Sequence, residues 1–85
     1  MDDKTLRALI RDKLRSGRLP LNKLSRFWGG LADGEVCDAC EQPITKQQQI
    51  MEGVVSTPGD QKPFQFHVQC FQFWETERRG QQGAV

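Results

Sequence analysis

Three cysteines and a single histidine fall into two pairs, Cys37-Asp-Ala-Cys40 and His67-Val-Gln-Cys70. In each pair two residues separate the potential donors. That spacing lets a tight turn, or one turn of helix, aim both donors at a point roughly 2.0–2.3 Å away. Four such donors complete a tetrahedron around zinc, and no cysteine or histidine of the chain lies outside the pairs. One Zn2+ held by Cys37, Cys40, His67 and Cys70 is the expected chemistry.

Other uses of these residues fit less well. A lone Cys-x-x-Cys can cycle as a redox pair, but the strand and helix context of thioredoxin is missing and the second pair would be left unexplained. A Cys–His nucleophile needs a third orienting group and a pocket, which a chain of 85 residues can hardly build. Cys70 as a plain buried apolar residue is the remaining alternative. A catalytic zinc keeps a position open for water, whereas three thiolates and an imidazole close the sphere. No spare histidine and no carboxylate at ligand spacing offers a hydrolytic centre. The expected role of the metal is structural, and the expected protein is not an enzyme and takes no small-molecule substrate.

Size and composition point the same way. A single small domain of 85 residues with 36% hydrophobic content has a modest core and needs a metal, a disulfide or a partner. Three is an odd number of thiols for a closed disulfide set. No apolar run reaches the length of a membrane span, and the first thirty residues lack the apolar stretch of a secretory signal. A reducing, cytoplasmic location is expected, and there cysteines serve metals more often than disulfides.

The elements that would position the four donors can be read in outline. Residues 3–16 form a helix, with Asp2 or Asp3 capping its free N–H groups and Ser16-Gly17 stopping it. Leu6, Leu9, Ile10 and Leu14 share one side, and Lys4, Arg7, Arg11, Arg15 and Arg18 form a cationic ridge on another. Lys13 intrudes on the apolar side, where its stem can lie flat while the ammonium reaches water. Pro20 opens either a second short helix carrying Leu21, Leu24, Phe27 and Trp28, or an extended linker ending at Gly29-Gly30. Ile50, Met51, Val54 and Val55 form one β-prone run and residues 63–67 another, so a hairpin with a loop near 57–62 is expected. Ser56-Thr-Pro-Gly-Asp60 supplies its turn. From His67 to about Arg79 the pattern is helical, with Phe71 and Trp74 facing inward. Three units follow: residues 1–30 as basic helix and linker, 31–80 as the zinc unit, and 81–85 as a tail.

The arrangement Cys37-x2-Cys40-x26-His67-x2-Cys70 resembles the zinc fingers of poly(ADP-ribose) polymerase type and the first zinc-binding half of a LIM domain. Ile44 and Lys46 after the first pair, and the aromatics flanking the second, extend the likeness over residues 36–79. The string from Arg26-Phe-Trp-Gly-Gly to Phe71-Gln-Phe-Trp-Glu-Thr-Glu-Arg78 is also similar to a group of small bacterial Cys3His proteins. The resemblance implies a small α+β, treble-clef-like domain: zinc knuckle, β-hairpin and C-terminal helix, with Cys37, Cys40, His67 and Cys70 as ligands. Fingers of the first kind bind broken DNA, and LIM domains bind proteins.

Charge separates the two functions. Residues 1–28 carry eight cations against three acids, whereas residues 29–85 carry four cations against eight acids. An acidic finger opposes phosphate contact. Nucleic acid, DNA or RNA, is therefore expected only through Lys4, Arg7, Arg11, Arg15 and Arg18. The leading expectation is a protein-interaction module, for which the leucine stripe docks on the body or on a second copy and the aromatics serve as anchors.

Overall fold

The computed structural model describes residues 1–55 and 62–82. The chain runs α1 (Asp3–Ser16), β1 (Arg26–Leu31), β2 (Gln49–Val54), β3 (Phe64–His67) and α2 (Val68–Gln82). This is a small α+β fold, as expected, but the hairpin is enlarged into a three-stranded antiparallel sheet in the order β1-β2-β3.

The first helix begins where Asp2 accepts a hydrogen bond from the Thr5 N–H at 2.7 Å. It ends at Gly17, whose φ of 82° is the left-handed conformation that glycine adopts without steric cost. Leu6, Ile10 and Leu14 are buried and Leu9 is half-buried, so the leucine stripe docks on the protein's own body. Against it lies α2, tied by an Arg11–Glu77 ion pair at 2.7 Å and by Gln69 donating to Asp3 at 3.3 Å.

Residues 26–31 form a strand, where a second helix or a tether was expected. The i, i+3 apolar spacing that reads as a helix is broken in space: Leu24 is buried, while Leu21, Phe27 and Trp28 are exposed. Leu24 sits directly over Gly53 of β2, where an added Cβ would also lie 2.9 Å from the Arg26 carbonyl oxygen. Ser25 donates from both its N–H and its hydroxyl to the Val54 carbonyl, at 2.8 and 3.1 Å. Phe27 and Trp28 are strand formers, and the glycine pair that follows disfavours a helix. The expected turn at residues 56–60 lies outside the described residues. So do 83–85, whereas 81–82 are still helical.

One side of the sheet carries the aromatic core. Phe66 stacks on Trp74 with centroids 5.4 Å apart, and Phe71 closes on both at 5.9 and 5.7 Å. Trp74 is fully buried and its indole N–H donates to the Pro20 carbonyl at 3.0 Å, which satisfies its one polar group and holds the α1–β1 connection down. Phe71 is half-buried. Because α2 starts at the residue after β3, the last strand residue and the first helical turn are adjacent in space. That junction places the second donor pair.

Candidate metal centre

The first donor pair sits in a small loop, closed by an isolated bridge between Val36 and Pro43. Cys37 donates from its backbone to the Gln42 carbonyl at 3.0 Å, and Glu41 donates back to the Cys37 carbonyl at 2.9 Å. Glu41 takes a left-handed φ of 64° to make this turn, a conformation that costs roughly 1–2 kcal/mol in a residue with a Cβ. The second pair straddles the β3–α2 junction: His67 ends the strand and Cys70 lies in the first helical turn. The loop is held to β3 by two bonds of 2.7 Å, Asp38 N–H to the Gln65 carbonyl and Gln65 N–H to the Asp38 carboxylate.

The four donor atoms lie within 4.8 Å of one another. His67 Nδ1 is 3.4 Å from Cys40 Sγ and 3.8 Å from Cys70 Sγ. The edges of a tetrahedron built on metal–ligand bonds of the usual length measure about 3.5–3.8 Å. On its other side the ring places Nε2 3.2 Å from the Pro43 carbonyl oxygen. A carbonyl only accepts, so Nε2 carries the proton and Nδ1 presents its lone pair to the sulfurs. This is the outer-shell bond that orients a metal-binding imidazole.

Electrostatics inside the cluster favour a cation. The Cys37 thiol is lowered to about 4, chiefly by the hydrogen bond from Cys70, which outweighs the cost of burial. Cys70 is pushed up because it donates that bond, because it is buried, and because the Cys37 charge opposes a second anion. Burial, ahead of the same charge, raises Cys40. One thiolate is stable here and three repel; a dication between them removes the repulsion and uses all three. A groove of about 610 Å³, lined by Met1, Leu6, Gln48 and Gln69 among others, opens onto Cys40, His67 and Cys70. Solvent thus reaches one side of the cluster.

All four residues chosen from the spacing come together in one cluster that could hold a metal ion. The five cationic residues differ in their surroundings. Lys4 and Arg18 are exposed, and Arg15 is near Asp12 at 3.6 Å. Arg7 lies over the Phe73 ring at 4.5 Å and Arg11 is engaged with Glu77, so both are turned into the α1–α2 contact. Lys13 was expected to reach water. Instead it is buried, donating to the Asp38 carbonyl at 2.9 Å and pairing with Glu41 at 3.3 Å. It ties α1 to the loop between the first two donors. Its position on the apolar side of the helix was the available signal. The Pro43 carbonyl, a backbone group, had none.

Comparison with protein-family models, with curated proteins and with solved structures finds no match to this chain. What the structure adds to the spacing is a Cys3His cluster that could hold a metal.

Proposed function

We propose that this chain is a non-enzymatic, treble-clef-like module built around one structural Zn2+, and that it acts by binding protein within a regulatory complex. The observation that carries the metal is the His67 ring, fixed through Nε2 by Pro43 with Nδ1 turned to two sulfurs. Three soft sulfur donors and one imidazole at these separations suit Zn2+, with no position left for water. The reducing cytoplasm is the compartment in which such thiols stay available to metal.

Protein binding is supported by the apolar surface of β1. Phe27 is 59% exposed and Leu31 79%, and all six residues of the strand are exposed. The alternative, a helix that holds phosphates through Lys4, Arg7, Arg11, Arg15 and Arg18, has less support because Arg7 and Arg11 are committed to α2.

Metal analysis of the purified chain should return one zinc per chain, and Cys70→Ser or His67→Ala should lose it together with cooperative folding. Folding and melting unchanged in Cys70→Ser would overturn the structural role. Salt-sensitive retention on duplex DNA, lost in an Arg15→Glu/Arg18→Glu variant, would favour the alternative.

A further inference from the structure

Strand β1 is an open edge: among the described residues it pairs only with β2. The ladder gives the direction of its free groups. Ala32 N–H bonds to the Gln48 carbonyl at 3.2 Å, continuing the register in which Leu31 faces Gln49 and Gly30 faces Ile50. Hydrogen-bonded pairs alternate along an antiparallel ladder, so Gly30, Trp28 and Arg26 bond to β2. Phe27, Gly29 and Leu31 therefore turn their N–H and C=O groups outward. Natural edges are blunted by charge, proline or bulges. This one has neither proline nor charge after Arg26, and it exposes Phe27, Trp28 and Leu31.

Charge on the two flanks is opposite. From residue 13 to 32 the chain has five cations and no acid; from 33 to 45 it has four acids and no cation. Lys23 and Arg26 lead into the strand, and Asp33 and Glu35 follow it, with Lys46 3.6 Å from the Asp33 carboxylate at the exposed surface. A strand with a basic entry and an acidic exit is complementary to itself when antiparallel.

We infer that β1 is the interface for a second copy of this chain, joined antiparallel about Gly29 into a continuous six-stranded sheet. The inference deepens the protein-binding reading above by naming the partner, and is independent of which metal is held. In this register Gly29 bonds to Gly29 of the second copy, and Phe27 and Leu31 bond to Leu31 and Phe27. On one face each exposed Phe27 meets an exposed Leu31; on the other each Trp28 lies over Gly30, where no side chain obstructs it. Pairing centred on Trp28 would oppose the two indoles and leave Leu31 against Ser25. About Gly29 the basic flank of each copy meets the acidic flank of the other at both ends, within the roughly 8 Å over which charges act at physiological salt. An edge-to-edge contact of this size lies at the small end of protein interfaces, so the dimer is reversible and concentration-dependent.

Sedimentation equilibrium of the zinc-loaded full chain, from roughly 10 to 300 µM, reads the association directly. The mass should rise from one chain to two across this range. Leu31→Lys, at an exposed position, should stay at one chain with its zinc content and circular dichroism unchanged. Arg26→Glu and Asp33→Lys should each weaken association at least tenfold. Mixed in equal amounts, these two variants should associate with each other, because both flanks are then again of opposite sign. A single-chain mass for the unmodified protein at every concentration overturns the inference, as does a Leu31→Lys protein that still dimerises or a mixture that does not recover. A zinc-loaded monomer would leave the module reading intact, whereas a protein without zinc would overturn that reading separately.

Discussion

At Lys13 an ammonium on the apolar side of α1 reaches 2.9 Å from the carbonyl of Asp38, between the first two donors, and 3.3 Å from Glu41, just after them. Periodicity marked Lys13 as anomalous but could not say what it meets, because its partner is a backbone oxygen 25 residues on. Lys13→Met keeps most of the buried stem and leaves that carbonyl unpaired. It should cost about 1–3 kcal/mol in urea unfolding of the zinc-loaded protein. It should also loosen the knuckle, seen as faster zinc transfer to a chelator through the groove beside Cys40. A variant as stable as the parent would show that α1 and the knuckle are not coupled here. The same limit applies at His67: its spacing to Cys70 identified it as a donor, while the choice of Nδ1 depends on Pro43, whose carbonyl carries no sequence signature.

Among the elements, those whose signals are local were legible. The start and stop of α1 follow from Asp2 and Gly17, and the helical pattern from His67 becomes α2. Asp2 is lowered from 3.8 by the Thr5 N–H it accepts, so its contribution is present above that pH and is lost as pH falls through the lower folded value. Acid titration of helix content should show this loss in the parent protein. Asp2→Asn, which retains the cap without a titrating charge, should lack that component; identical profiles would contradict the assignment. Strand β1 was not legible. All six of its residues are exposed, so no in–out alternation marks it, and the glycine pair reads as a hinge. Its partner β2 holds the better clue in Gly53, which admits Leu24. Gly53→Ala should push Leu24 off β2 and destabilise the protein by about 1–3 kcal/mol, measured by thermal melting. No change would mean that Leu24 moves freely there.

For the whole molecule, the proposed metal is what would decide whether the elements cohere. The four candidate donors come from the knuckle, the end of β3 and the start of α2, so one ion held there would link segments 27 residues apart in sequence. A structural zinc contributes about 10–16 kcal/mol of apparent binding free energy, against about 3–5 kcal/mol from a core of this size. The aromatic cluster of Phe66, Phe71 and Trp74 adjoins the β3–α2 junction, so loss of the ion should disorder the core together with the knuckle. The most direct test is a zinc titration of the metal-free, reduced chain followed by circular dichroism and tryptophan fluorescence. The account predicts little ordered structure without metal and a cooperative rise in both signals that stops at one zinc per chain. The same helix content and the same melting temperature with and without zinc would contradict it.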